Sequence, residues 1–286
     1  MQIDAHTRLC AVIGNPVEHS LSPVLHNAAF RAAGLNYLYA AFRVEDVPAC
    51  LAGMRAMHGF RGMSVTIPHK LAVMACLDEI EPMARRVGSV NTITNENGRL
   101  TGSTTDGPGT LRAFQEAGIS LDGKRVLFIG AGGAVRAVAF AVAELTRAKT
   151  IAVIGRNIER VRALTQDVSA QTGKPIQAAD LSSELADAMA GSDVLVQGTP
   201  MGMHPNPGQS PVPREWLQPR HVCFDMVYRP NKTQFILDAE AAGCTTLLGI
   251  EMLLNQAALQ FERWTGVPAP LDAMRNAAHA ALSEAP

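Results

Sequence analysis

Disulfide and metal frameworks are missing from this chain. The five cysteines, Cys10, Cys50, Cys76, Cys223 and Cys244, are odd in number, widely separated and never spaced as CxxC, which predicts small buried thiols in a reducing compartment. The eight histidines form neither HxH nor HExxH, so no metal is expected. Membrane signals are lacking too: MQIDAHTRLCAVIG has no basic segment leading into an apolar one, and no apolar run is long enough to cross a bilayer. The expectation is a cytoplasmic protein. Nor does one sign of charge dominate. Lysine plus arginine (25) nearly equal aspartate plus glutamate (26), so no overall field recruits nucleic acid or an anionic membrane, and any anion site must be local. Aromatics are scarce at 5% against 47% hydrophobic residues, the composition of an aliphatic α/β core. Internal repeats and low-complexity tracts are lacking as well.

What remains is a cadence of strands and helices. At 286 residues the chain exceeds the roughly 150 residues of a typical domain, which predicts two. The first α/β unit, residues 1–106, reads as strands at LCAVIG, YLYAAFRV and MSVTI, with helices beginning at SPVLHN, running through EDVPACLAGMRAM, and at LAVMACLDEI. Ser22 and Pro23 look like the cap and first position of the first helix, which runs to Gly34. Asn97-Gly98 between two β-branched segments predicts a tight hairpin. The second unit, residues 107–248, opens with GKRVLFIGAGGAVRAVAFAVAEL, a buried strand passing through glycines into an alanine-rich helix. Strands at TIAVIG, DVLVQGT, HVCFDMV and TTLLG follow. That βαβ cadence predicts a doubly wound parallel sheet of Rossmann type. Residues 249–286 supply two helices, GIEMLLNQAALQFERWTG and LDAMRNAAHAAL, with no strand after them.

Gly130, Gly132 and Gly133 fall between strand and helix, where backbone amides and a helix N-terminus approach a pyrophosphate unhindered by a Cβ. Val135 stands where GxGxxG has its third glycine, and a tight turn packed on glycine is the structural alternative. The end of the next strand, TIAVIGRN, carries no acid for the ribose hydroxyls; Arg156 is there instead. A guanidinium at that place suits the 2′-phosphate of NADP better than NAD. Arg160 extends the same positive pocket, unless both arginines are simply solvated charges on a helix turn.

Small neutral polar residues gather at strand ends of the first unit, in EHSLSPVLHN, MSVTIPHK, GSVNT and STTDGPG. Singly, Ser20 and Ser22 serve as turn and cap groups, Thr66 as a β-former, Asn91 as a turn residue and Asp106 as a helix cap. Together they suit a ligand rich in hydroxyls. In order and spacing, IGNPVEHSLSPVLHN, MSVTIPHK, GSVNT, STTDGPG, IGAGGAVRA, DMVYRP and GIEMLLNQA resemble the shikimate dehydrogenase family over nearly the whole chain.

That resemblance implies an NADP-dependent oxidoreductase interconverting 3-dehydroshikimate and shikimate, or a close analogue, as a monomer or homodimer acting on a small ring hydroxy acid. It implies Ser20 and Ser22 at the substrate carboxylate, Thr66 and Lys70 at its hydroxyls, and Asn91 and Gln256 completing the ring contacts. Asp106 would be the catalytic partner of Lys70, and Tyr228 would border the substrate from the nucleotide half. Gly130, Ala131, Gly132, Gly133, Ala134, Arg156, Thr199, Met226 and Gly249 would hold the cofactor, and the last helices would return to pack on the first domain. The chemistry suits these types, because hydride delivery to a ring ketone builds negative charge on oxygen that an ammonium stabilises and protonates.

Departures from the family pattern are specific. Ser64, counted by the resemblance among the substrate-binding residues, stands where the family has an asparagine touching substrate, Thr104 where it has the asparagine of NTDG, and GTP where it has NAT. A serine lacks the amide's paired donor and acceptor. A quinate or aminoshikimate dehydrogenase, using either NADP or NAD, is therefore the alternative. A non-catalytic sensor of metabolite and dinucleotide is a distant one, disfavoured because Lys70 and Asp106 are both present.

Overall fold

The computed structural model describes residues 3–283. They divide into two compact units: the first runs to Thr105 and resumes at Leu254, and the second is Asp106–Leu253.

The first unit contains, in chain order, β1 (Arg8–Gly14), α1 (Ser22–Ala32), β2 (Tyr37–Arg43), α2 (Val47–Ala56), β3 (Phe60–Val65), β4 (Glu79–Ile80), α3 (Pro82–Val87), β5 (Thr92–Glu96) and β6 (Arg99–Ser103). Among the described residues its sheet has six strands, ordered β2-β1-β3-β5-β6-β4. The crossovers through α1 and α2 make β2, β1 and β3 parallel, whereas β5 runs antiparallel to both β3 and β6. The Asn97-Gly98 hairpin forms as expected, with φ of 55° and 89° at its two central residues and Glu96 facing Arg99. Alternate side chains of β1 and β3, among them Ala11, Ile13, Met63 and Val65, meet Leu51 and Met54 of α2 in one apolar cluster.

Three local expectations change. Leu21, in helical conformation, caps α1 without a side-chain hydrogen bond, and Ser22 is the first helical residue; its hydroxyl is therefore not spent on the helix end. The same helix stops at Ala32, two residues short of Gly34, whose φ of 65° closes the turn. LAVMACLDEI forms only a 3-10 turn, Ala72–Cys76. The competing force is visible at Asp78: its N–H donates to the Leu100 carbonyl (3.0 Å), and its Oδ2 accepts from the Leu100 N–H (2.7 Å) and from Arg55 (2.6 Å). Those bonds pull the segment onto the sheet as β4 before an α-helix can propagate.

The second unit contains α4 (Asp106–Glu116), β7 (Arg125–Ile129), α5 (Gly133–Leu145), β8 (Thr150–Gly155), α6 (Ile158–Thr172), β9 (Ile176–Asp180), α7 (Leu185–Ala190), β10 (Val194–Gln197), β11 (Val222–Asp225), α8 (Gln234–Ala241) and β12 (Thr245–Leu247). The sheet runs β12-β11-β10-β7-β8-β9, parallel throughout. Strand order reverses between β7 and β10, the place where a doubly wound sheet opens a crevice at its carboxyl edge. The edge strand β9 was not expected, because Gln177 and Ala178 are exposed and break the apolar run that marks a buried parallel strand.

The chain ends with α9 (Gly249–Thr265) and α10 (Leu271–Ser283). The latter packs on α1. Trp264, buried at the far end of α9, donates from Nε1 to the Ile93 carbonyl (3.1 Å), and a Cβ at Gly62 would fall inside its indole. That lock registers α9 on β3 and β5. It also aligns Gln256, Gln260 and Trp264, spaced four residues apart, on the one helix face that meets the sheet.

Candidate active site

In the first unit the site forms where β1 and β3 end. Beyond Val65 the backbone is braced on both sides: Val65 N–H donates to the Asn91 carbonyl (2.8 Å) and Thr66 N–H to the Ile13 carbonyl (2.9 Å). His69 is buried with Nε2 2.8 Å from the Val44 carbonyl, and the Lys70 carbonyl accepts from Val90 N–H (2.9 Å). Lys70 is thus held beside Asn91 by main-chain bonds on either side of the turn, half-buried, as is Thr66. Ser20 and Ser22 lie at the start of α1, where the Ser20 Oγ accepts from the Ser22 N–H (3.3 Å).

Asn91 is the hub. Its Oδ1 accepts from the Thr105 N–H (2.8 Å) and the Thr92 hydroxyl (2.8 Å), and its Nδ2 donates to Gln256 Oε1 (3.0 Å) and Thr105 Oγ1 (3.1 Å). Ser64 lies inside the same network rather than at a surface. Only 6% exposed, it accepts from the Tyr39 hydroxyl (2.6 Å) and donates to Gln260 Oε1 (2.8 Å). Thr104 is equally buried, and its hydroxyl has no hydrogen-bond partner among the described residues. His26 stacks on Tyr39 at 4.3 Å between ring centroids. Burial pushes its imidazole down to about 3, partly offset by the Gln260 carboxamide, and burial pushes the Tyr39 phenol up. Both rings are neutral at physiological pH.

In the second unit the site sits at the strand-order reversal. Gly130 follows β7 with φ of 111°, and a Cβ there would meet Thr199 and the Gly198 backbone. Glycine is required here twice over, by conformation and by space. Val135, in place of a third motif glycine, is fully buried, and Gly198 supplies the missing room, since a Cβ on it would strike the Val135 side chain. Gly132 caps α5, leaving Gly133 and Ala134 exposed in its first turn with their N–H groups outward. Gly130, Ala131, Gly132, Arg156 and Thr199 share the wall of one pocket of about 480 Å³, within the range that takes a cofactor. Met226 and Gly249 are not part of that wall. Gly249 has a packing reason of its own, because a Cβ there would collide with the Val227 and Asp225 carbonyls.

Asn157 caps α6 by accepting from the Arg160 N–H (2.9 Å). Arg156 and Arg160 flank this cap, exposed, with no carboxylate partner among the described residues. A glycine cradle, a free helix N-terminus and two uncompensated guanidiniums fit a dinucleotide with an extra phosphate on its ribose. Asp106 opens α4, buried, with its carbonyl accepting from Thr110 (2.8 Å). Burial raises the half-buried Tyr228 phenol. It also raises the Asp225 carboxyl, to about 6, against hydrogen bonds from Thr233 and the Val227 N–H that favour its charged form.

Several of these groups escape a reading of the sequence by motif: Tyr39, Thr92, Thr105, Gln260 and Gly198. The one local signal was on α9, where Gln260 repeats the carboxamide of Gln256 four residues on, along the face that ends in Trp264.

Residues 12–93 match the shikimate dehydrogenase substrate binding domain, residues 112–204 the family described as shikimate / quinate 5-dehydrogenase, and residues 249–279 the shikimate 5′-dehydrogenase C-terminal domain. The chain is 43% identical over 281 residues to the shikimate dehydrogenase (NADP(+)) of Moorella thermoacetica, covering 96% of this chain and 93% of that one. Among solved structures, the Listeria monocytogenes shikimate 5-dehydrogenase in complex with shikimate and NAD is 37% identical with a TM-score of 0.91, covering 96% of this chain and 98% of that one. The Thermus thermophilus enzyme in complex with NADP(H) and shikimate is 38% identical with a TM-score of 0.84, covering 96% of this chain and all, 100%, of that one.

Proposed function

This chain belongs to the shikimate dehydrogenase family, and from that premise we propose that it interconverts 3-dehydroshikimate and shikimate by reversible hydride transfer with NADP(H). The observation that carries the cofactor is the pair Arg156 and Arg160 at the capped end of α6, with no acid at the end of β8. A ribose 2′-phosphate finds two guanidiniums there, whereas a bare ribose finds no carboxylate to accept its hydroxyls. Gly130, Ala131, Gly132 and the first turn of α5 would hold the pyrophosphate through backbone N–H groups. When bound, the nicotinamide supplies or takes up the hydride.

The chain's own residues do the rest. Ser20 and Ser22 bind the substrate carboxylate by hydroxyl donation, and Thr66, Asn91 and Gln256 fix its hydroxyls. The Lys70 ammonium stabilises the negative charge that develops on the carbonyl oxygen as hydride arrives, and then a proton is delivered to that oxygen. In the reverse direction the Lys70 and Asp106 pair accepts the hydroxyl proton. The family pattern adds Tyr228 to the residues assigned to the substrate. A cytoplasmic location is part of this reading, supported by five cysteines that are all unpaired, as is a monomer or homodimer.

The test is a steady-state panel of shikimate, quinate and aminoshikimate, each with NADP and NAD. The expected result is the highest kcat/KM for shikimate with NADP. A higher value for quinate or for the amine would move the chain to the family's alternative branch, and higher values with NAD would refute the assignment of Arg156.

A further inference from the structure

The buried network in the first unit has a direction, and two backbone groups set it. Thr105 N–H can only donate, so the Asn91 atom it meets at 2.8 Å is the oxygen, Oδ1. The Thr92 hydroxyl, 2.8 Å from that oxygen, must give its single proton to it. Thr92 Oγ1 is then an acceptor, served by Gln260 Nε2 at 2.9 Å. The orientation of Gln260 is fixed separately, because its Nε2 also approaches the Asn91 carbonyl, at 3.3 Å. Gln260 Oε1 therefore faces Ser64, which donates to it at 2.8 Å, and Ser64 can only accept from Tyr39, at 2.6 Å.

The far end of this wire matters for recognition. Asn91, with its oxygen saturated, presents Nδ2 to Gln256 Oε1 (3.0 Å). Gln256 is thereby turned with its oxygen inward, and its Nε2 is not spent on any described group; it is half-buried on the helix face above Asn91. A donor so presented gives its proton to a hydroxyl oxygen on the ligand. A protonated amine, which offers only donors, meets N–H against N–H. Tyr39, Ser64, Thr92 and Gln260 are each at most 6% exposed, so no water can take over a lost partner cheaply.

We propose that Tyr39, Ser64 and Gln260 are positioning residues that lock the Gln256 carboxamide as a donor, and so make the site select a ring hydroxyl over the corresponding ring amine. This rests on the reading of Gln256 as a substrate group. Ser64, on this view, is the link that ties the oxygen end of Gln260 on α9 to Tyr39 on β2 and so reinforces the orientation that the backbone groups set.

The test measures kcat/KM for shikimate and aminoshikimate in wild type, Gln260→Met, Ser64→Ala and Tyr39→Phe, with KM for NADP as a control. Wild type is expected to favour the hydroxyl at least ~100-fold. Gln260→Met, which keeps length and removes both amide ends, is expected to cut that ratio about tenfold, Ser64→Ala about fivefold and Tyr39→Phe about twofold, with KM for NADP unchanged. Tyr39→Phe loses one oxygen and keeps its stack on His26, so it tests the idea even if a more disruptive variant folds poorly. An unaltered ratio in all three variants, or equal losses on both substrates, overturns the proposal while leaving the shikimate activity standing. If wild type turns over neither compound, the functional reading falls and takes the proposal with it.

Discussion

The first unit builds its site from buried side chains: Ser64 of β3, Asn91 just before β5, Thr92 of β5 and Gln260 of α9 are wired together by hydroxyl and amide protons. The second unit builds its site from what side chains leave open. Gly130 and Gly198 lack a Cβ where the strands part, α5 offers bare N–H groups, and the charged residues Arg156 and Arg160 stand exposed at the rim. A wired site discriminates by the sense of each hydrogen bond and fails when one member is lost. A backbone site recognises a group common to many nucleotides and leaves discrimination to one or two rim charges.

The sharpest contrast is in acid. His26 lies buried in the first unit with its folded value near 3 instead of 6.5. The unfolded chain binds the extra proton, so this unit loses stability as pH falls from about 6.5 toward 3, by on the order of 4 kcal/mol in total. Asp225 in the second unit behaves oppositely. Its value is raised from 3.8 to about 6, so its contribution is full below about pH 4 and is lost as pH rises to about 6, on the order of 3 kcal/mol. Denaturant titrations across that interval should flatten for the first effect in His26→Phe and for the second in Asp225→Asn. Slopes identical to wild type would remove these two groups from the account.

A smaller effect tests the packing of the second unit. Gly198→Ala should cost about 1–3 kcal/mol by driving a methyl into Val135, and Val135→Ala in the same chain should recover most of it. Additive losses in a thermal-melt cycle would mean that Gly198 does not stand in for the missing motif glycine. At the rim, Arg156→Ala should raise KM for NADP about 10–100-fold, the value of a charged hydrogen bond, and leave KM for NAD within about threefold. Parallel increases for both cofactors would erase the contrast between cradle and rim.

The same contrast explains what was legible in the sequence. The second unit's site is local: Gly130 to Ala134 and Arg156 are read off two strand ends, because a backbone cradle advertises itself by glycine and a rim charge by its place after a strand. The parallel strands β7, β8, β10 and β11 were legible for a related reason, being largely apolar runs. In the first unit, Ser20, Ser22, Thr66, Lys70 and Asn91 are marked by motif, but Tyr39 and Gln260 are not. Their significance exists only once α9 is laid on β5 by Trp264, some two hundred residues downstream of β2 along the chain. Ser64 looked like a residue turned to the ligand; only its two buried partners show where its proton goes. The failed helix at LAVMACLDEI has the same origin, a contact from Asp78 to Leu100 that no local propensity announces.

In the proposed chemistry the Lys70 ammonium acts on a shikimate-like ring acid, with NADP as the hydride partner. The most direct measurement compares wild type and Lys70→Ala for NADPH formation from shikimate, with calorimetric binding of shikimate and NADP alongside. The expected result is turnover by wild type, a loss of about a thousandfold or more in kcat for Lys70→Ala, and binding of both ligands retained. No turnover by wild type, or near-normal turnover by Lys70→Ala, would contradict it.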